Sequence, residues 1–272
     1  MPEQAQKPLP VSSSIPPDFP AEQRDLFREV LTLLNQRGVP YVVSGAFALQ
    51  KHTGIWRDTK DLDLFLPARH VNAALCHLKE DGFEVEVTDP FWLAKAWRNG
   101  FFVDMITGMS NGVITVDDSW IARGVPADVV GVSTRVLAAE ELVASKLFVS
   151  FRERFDGADI AHVLYRTHHR FDWNRMLELV GEHWQLLLWT MVLFHYIYPS
   201  AGGHVPRAVW DELLRRFQRL LEHPDSAARF RGSLIDDKMF LIDVQEWGMA
   251  NLLEEERARR KDTICEPGKT AA

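Results

Sequence analysis

Residues 41–66 read YVVSGAFALQKHTGIWRDTKDLDLFL. Tyr41-Val42-Val43 is short, apolar and β-branched, so it predicts a strand. Three small residues, Ser44-Gly45-Ala46, then make a tight turn into a helical stretch, Phe47 to His52. After a loop over 53–60, Asp61-Leu62-Asp63-Leu64 alternates polar and apolar before Phe65 and Leu66, and Pro67 ends the run. That alternation predicts a strand with both carboxylates on one face, about 7 Å apart along the chain. A strand, small-residue turn, helix and acidic strand in this order decide the fold.

Working outward, apolar residues from Leu26 to Leu34 recur at helical spacing, and Gly38 with Pro40 stops that helix. Downstream, 71–79 reads as an amphipathic helix, Asp81-Gly82 as a turn, and 83–87 and 101–106 as strands. Asp104 stands among Phe101, Phe102, Val103, Met105 and Ile106, where a charge needs a reason. From 137 onward the pattern turns helical, with helices expected at 138–155, 158–165, 173–183, 184–198, 208–221 and 237–260. The expected class is α/β (α+β): a mixed-sheet domain over 21–134 and a mostly helical domain over 135–260. The proline-rich residues 1–20 and the polar residues 261–272 read as disordered ends.

Paired acids on one strand face repel unless a cation lies between them. Oxygen-only ligands suit Mg²⁺, and Asp104 on a neighbouring strand would complete a two-ion site with Asp61 and Asp63. The small residues at the start of a helix would cradle phosphate, since the first N–H groups of a helix lack intrahelical partners.

The chain has 272 residues, 31 Lys+Arg against 38 Asp+Glu, and a net charge of -7. This composition excludes collagen, wholesale disorder and a disulfide scaffold, and it argues against gripping nucleic acid mainly through phosphate neutralisation. Two cysteines, Cys76 and Cys265, form no framework, so a reducing cytoplasm is expected. No secretory signal opens the chain, and the longest apolar run, 184–198, is too short for a bilayer and reads as a buried core helix. The histidines show no zinc-ligand spacing. The arginines around 215–231 are diluted by acids and read as a solvated face.

The 41–66 run and the later Asp104 resemble the signature of the DNA polymerase β-like nucleotidyltransferase superfamily. The resemblance implies transfer of a nucleoside monophosphate from a nucleoside triphosphate such as ATP to an acceptor hydroxyl, with pyrophosphate leaving. It implies that Ser44, Gly45 and Ala46 hold the triphosphate, that Asp61 and Asp63 bind two Mg²⁺ ions, and that Asp104 binds the catalytic ion and helps deprotonate the acceptor. Arg57 and Thr59 match an Arg-x-Thr-x-Asp-x-Asp variant of the bacterial branches and join the nucleotide-binding set. Ala46 stands where the superfamily usually carries Gly or Ser.

A second run, AEELVASKLFVSFRERFDGADIAHVL, resembles the lysine helix and Arg-x-Asp-x-x-Asp segment of the abortive-infection toxin branch, known from toxin–antitoxin pairs. By that resemblance Lys146 contacts triphosphate, while Arg154, Asp156 and Asp159 lie near the acceptor or brace the cleft. The acceptor stays open among a small molecule, a protein and an RNA end. The alternative is a catalytically silent nucleotide- or partner-binding module on the same fold.

Overall fold

The computed structural model describes residues 20–151, 153–260 and 262–264. The expected ends, 1–20 and 261–272, lie almost wholly outside the described residues. In chain order the first half runs α1 (Ala21–Gln36), β1 (Val42–Val43), α2 (Gly45–Thr53), β2 (Asp61–Phe65), α3 (Ala68–Glu80), β3 (Glu84–Asp89), β4 (Leu93–Arg98), β5 (Phe101–Ile106), α4 (Asp118–Arg123), β6 (Val125–Val129) and β7 (Val132–Val136). The second half is α5 (Ala139–Leu147), the hairpin β8 (Ser150–Phe151) and β9 (Arg154–Phe155), then α6 (Gly157–Thr167), α7 (Trp173–Val180), α8 (Trp184–Ile197), α9 (Arg207–Glu222) and three short helices, α10 (Gly232–Ile235), α11 (Leu241–Gln245) and α12 (Leu252–Arg259).

The sheet is mixed and seven-stranded, in the order β3-β4-β5-β2-β1-β7-β6. β2 pairs in parallel with β5 and antiparallel with β1, while β4 pairs antiparallel with β5. The α/β class expected from the sequence is the class found. Buried apolar residues form one cluster that runs from Leu26 through the sheet to Leu213, with Ile264 joining it.

Besides the β8–β9 hairpin, three strands, β4, β6 and β7, lie where no strand was expected. β4 is joined to β5 by Asn99-Gly100, and β6 to β7 by Val130-Gly131, each pair with both φ values positive (54° and 81°, 48° and 86°). Such two-residue turns match the right-handed twist of the strands they join. The Asn-Gly signal was legible in the sequence, but β4 itself, Leu93-Ala94-Lys95-Ala96-Trp97-Arg98, carries two alanines and two cations that weaken any strand pattern.

Two long helices are also corrected. The helix expected over 138–155 ends at Leu147 and gives way to the β8–β9 hairpin. That hairpin brings Arg154 back to Asp156, where the guanidinium makes a two-pronged pair at 2.9 and 3.0 Å. The helix expected over 237–260 is broken into α11 and α12, with Gly248 at φ 70° between them. α8 is not a wholly buried helix: Leu187, Met191 and Phe194 face the core, whereas Trp189, Val192 and Tyr196 are exposed.

Candidate functional site

The register of the sheet builds the site. Asp63 of β2 lies opposite Asp104 of β5, and Asp104 lies opposite Lys95 of β4. Alternation puts Asp61 on the same face as Asp63, two residues back. One ligand oxygen from each of Asp61, Asp63 and Asp104 can be chosen so that all three lie within 4.8 Å of one another. Among the described residues this is the one group of three or more acids, histidines or cysteines placed to hold a metal ion.

Gly45 sits against this cluster and opens α2. Its φ is 57°, and a Cβ placed on it would lie 2.0 Å from the Asp63 Oδ2. Glycine is therefore required twice, by the backbone conformation and by the approach of the carboxylate. The preceding Ser44 is buried, and its N–H donates to the Asp63 carbonyl at 2.9 Å, which fixes the turn to β2.

The three carboxylates have different environments. Burial, reinforced by the charges of Asp61 and Asp104, pushes the Asp63 carboxyl up to about 7, while Arg154 and Lys146 pull it down. Burial also raises Asp104, which is 9% exposed, although Lys95 opposes the shift by donating to its two oxygens at 2.8 and 3.0 Å. Asp61 accepts a 2.7 Å hydrogen bond from the Thr59 hydroxyl, and the buried Gln23 in turn donates to the Thr59 carbonyl at 3.0 Å. Three acids held together at a mutual cost, beside a position where only glycine fits, are a donor set that suits a hard divalent cation.

Beside the acids runs a ladder of ion pairs. Arg57 donates to Asp159 at 2.9 and 3.1 Å, Lys146 bridges Asp159 (3.0 Å) and Asp156 (2.6 Å), and Arg154 closes on Asp156. Burial disfavours the Asp156 charge, yet Arg154 and Lys146 outweigh it and hold the carboxyl below its ordinary value. Of the second-run residues, Lys146 and Arg154 line the cleft with Asp63, and Asp156 and Asp159 pair with them. Thr59 faces Asp61 and Arg57 faces Asp159, so each contacts an acid of the site's surroundings.

A cleft of about 290 Å³ starts at Ser44, Gly45, Asp63, Lys146 and Arg154 and extends to an apolar end at Trp92, Met109, Phe148 and Leu234. Its far wall comes from the C-terminal part of residues 135–260, which the sequence reading assigned as a whole to the substrate and cleft side without singling out a residue there. Arg257 donates to Asp89 (2.9 Å) and to the Ser110 carbonyl (3.0 Å), Arg260 to the carbonyls of Phe91 and Thr107, and the Ile264 N–H to the Pro90 carbonyl (2.7 Å). Lys95 was missed as well, because its strand was. The arginines at 215, 216, 229 and 231 all pair with glutamates, in keeping with a solvated face.

A small-residue turn at the start of a helix, facing carboxylates on two parallel strands of a mixed sheet, defines the class: an enzyme of the nucleotidyltransferase type. The chain belongs to the family described as "Nucleotidyl transferase of unknown function", whose model matches residues 23–178. No curated protein matches the chain in sequence. Solved structures similar to it include the antibiotic-resistance factor ANT(2'')-Ia (14% identity, 67% of this chain and 96% of that chain, TM-score 0.40). Others are the lincosamide antibiotic adenylyltransferase LnuA (16%, 52% and 95%, 0.38) and an antigenic nucleotidyltransferase-like protein from Paracoccidioides brasiliensis (14%, 68% and 92%, 0.41).

Three outcomes follow from the geometry. Gly45→Ala displaces the Asp63 carboxylate and lowers divalent-cation affinity at least tenfold in calorimetric titration; unchanged affinity contradicts the close approach. Between about pH 4 and pH 7 the folded, metal-free chain holds a proton on Asp63 that the unfolded chain has released, so this group makes stability fall as pH rises through that window. Asp63→Asn in chelator is accordingly more stable than the parent at pH 8, by roughly 4 kcal/mol, with the gap closing towards pH 4 in urea unfolding. Lys95→Met, by removing a cation held on Asp104, tightens Mn²⁺ binding several-fold; weaker binding would show that Lys95 chiefly positions the carboxylate.

Proposed function

We propose that this chain transfers a nucleoside monophosphate from a nucleoside triphosphate to an acceptor hydroxyl and releases pyrophosphate. The observation that carries the reading is the convergence of Asp61, Asp63 and Asp104 beside Gly45. Asp61, Asp63 and Asp104 would hold magnesium, two ions by the sequence resemblance. Bound there, the metal supplies the positive charge that the α-phosphate and the leaving pyrophosphate need during in-line displacement.

The chain's own residues set the rest. Ser44, Gly45 and Ala46 open α2, whose first N–H groups suit the oxygens of a triphosphate. Lys146 and Arg154 lie on the same side of the cleft, and their charges reach Asp63. For the triphosphate to use them, it must share them with Asp156 and Asp159. The acceptor oxygen forms a bond to the α-phosphorus as the bond to the β-phosphate oxygen breaks, and the acceptor proton passes to a carboxylate. Asp104, raised by burial, is the candidate for that proton.

The cations lining the cleft, Lys146, Arg154 and Arg257, are all engaged by acids. That pairing supports a small-molecule or protein hydroxyl over an RNA end, which would call for an unpaired basic track. The pairing of Lys146 and Arg154, which line the cleft, with Asp156 and Asp159 supports the likeness to the abortive-infection branch. The helical residues 135–260 would supply the surface that reads the acceptor. No helix among the described residues is long and apolar enough to cross a membrane. A second reading, a silent nucleotide-binding module, draws support from the Lys95 ion pair on Asp104, which occupies one ligand with a protein cation.

Incubation with α-labelled nucleoside triphosphates, Mg²⁺ and a cell extract, fractionated into RNA, protein and small molecules, tests both. Label is expected in one fraction and is lost, by at least a hundredfold, in folded Asp63→Ala and Asp104→Ala. Label at the parent's level in either variant, or none from the folded parent, overturns the transfer reading.

A further inference from the structure

Helices α8 and α9 carry an apolar face that the described residues leave open. Over its 14 residues α8 has no Asp, Glu, Lys or Arg. Leu187, Met191 and Phe194 take its core side, while Trp189, Val192 and Tyr196, spaced three and four apart, stay exposed. α9 repeats the arrangement. Val209 and Leu213 are buried, and the half-buried Trp210 with the exposed Leu214, Phe217 and Leu221, spaced four, three and four apart, forms a second stripe. Those are the spacings with which one helix presents a seam to another.

The two stripes flank one groove. His195 meets the Trp210 ring edge-on, with centroids 6.4 Å apart, and further along Leu220 lines a hollow with Trp184 and Gln185, so the helices are antiparallel neighbours. Phe155 of β9, also exposed, leans on Trp189 with ring centroids 5.9 Å apart and extends the face to the hairpin. The six open side chains of the two helices range from 43% exposed at Phe217 to 83% at Tyr196. With Phe155 they present on the order of 800 Å², taking about 200 Å² for a large side chain. The largest apolar patch on a monomeric protein is usually no more than about 600 Å², whereas each partner of a standard interface buries about 800 Å².

We propose that this face is the interface between two copies of the chain, which pack α8 and α9 of each copy into a four-helix bundle about a twofold axis. Charge points to a second copy as the occupant. The chain carries -7 in all, so most of its surface repels a like chain or an anionic lipid surface. The two helices escape that repulsion: α8 has no charged side chain among its carboxylate, lysine and arginine positions, and α9 sets four arginines against three acids. Arg207 pairs with Asp211, and Arg215 and Arg216 pair with Glu212, within α9 itself, so the rim is already neutralised on each copy. A twofold contact brings the same patch to itself, which this balance permits. The inference stands independently of nucleotidyl transfer, although Phe155 places the edge of the interface one residue from Arg154 of the ion-pair ladder.

The test is sedimentation velocity of the full chain from low to high micromolar concentration. The parent is expected to run as a dimer and to remain one in molar salt, because the contact is apolar. Tyr196→Glu with Leu221→Glu, at positions 83% and 67% exposed, weakens dimerisation at least a hundredfold with circular dichroism unchanged. Leu241→Glu with Trp247→Glu, on the exposed apolar residues in and after α11, leaves the dimer intact. Hydroxyl-radical footprinting gives a reading without variants: oxidation of Trp189 and Phe217 falls several-fold as the parent is concentrated. A parent that stays monomeric at high micromolar concentration overturns the proposal, and its flotation with phosphatidylserine vesicles would give the face to lipid instead. A dimer that survives Tyr196→Glu with Leu221→Glu, one that dissociates in Leu241→Glu with Trp247→Glu, or unchanged oxidation of Trp189 and Phe217 also overturns it.

Discussion

Asp63 presses its carboxylate against the one residue of the α2 turn that has no side chain. Everything else at the site follows from that approach. β1 and β2 run antiparallel, so the chain leaving β1 turns beside the middle of β2, and the Ser44 N–H bonds to the Asp63 carbonyl. A Cβ at Gly45 would overlap the carboxylate, so the turn, the helix start and the acid are fixed as one unit. The parallel pairing of β2 with β5 then sets Asp104 level with Asp63. Like charges so arranged are stable in the fold only because protonation, Lys95 and the nearby Arg154 and Lys146 offset their repulsion.

This arrangement explains why cations surround the cleft without being free. Lys146 and Arg154 sit close enough to Asp63 to lower its proton affinity, yet Asp156 and Asp159 engage them directly. The ladder from Arg57 to Arg154 ties the loop before β2 to α5, β9 and α6, so the two halves of the chain are joined at the site by charge as well as by the shared apolar core. The opposite wall is held differently. There, arginines of the C-terminal segment bond backbone carbonyls of the turns at 89–92 and 107–110, and that fixes the shape of the apolar end.

Local signals were read where the backbone has few alternatives. Gly45 between a β-branched run and a helix, and Asp-x-Asp in strict alternation, are short-range patterns that no long-range contact overrides. The helix expected over 138–155 shows the opposite case. Its residues suit a helix, but the short β8–β9 hairpin and the Arg154 pair with Asp156, the residue that precedes α6, replace its second half. β4 went unread for a related reason: alanine and lysine carry little strand preference, and the strand exists because β3 and β5 flank it on either side.

By itself the sequence determined the mixed α/β class, the turn before α2 and the three acids, since each depends on residue type and spacing within a few positions. Only the tertiary structure decided that Lys95 is bonded to Asp104, that Thr59 holds Asp61, and that residues 233–260 wall the cleft. Those partners are 9, 2 and more than 100 positions from what they touch, and even the nearest depends on how the side chain is turned. Pairing of strands and docking of the C-terminal segment are set by burial and backbone hydrogen bonding across the whole chain, and no local pattern carries that information.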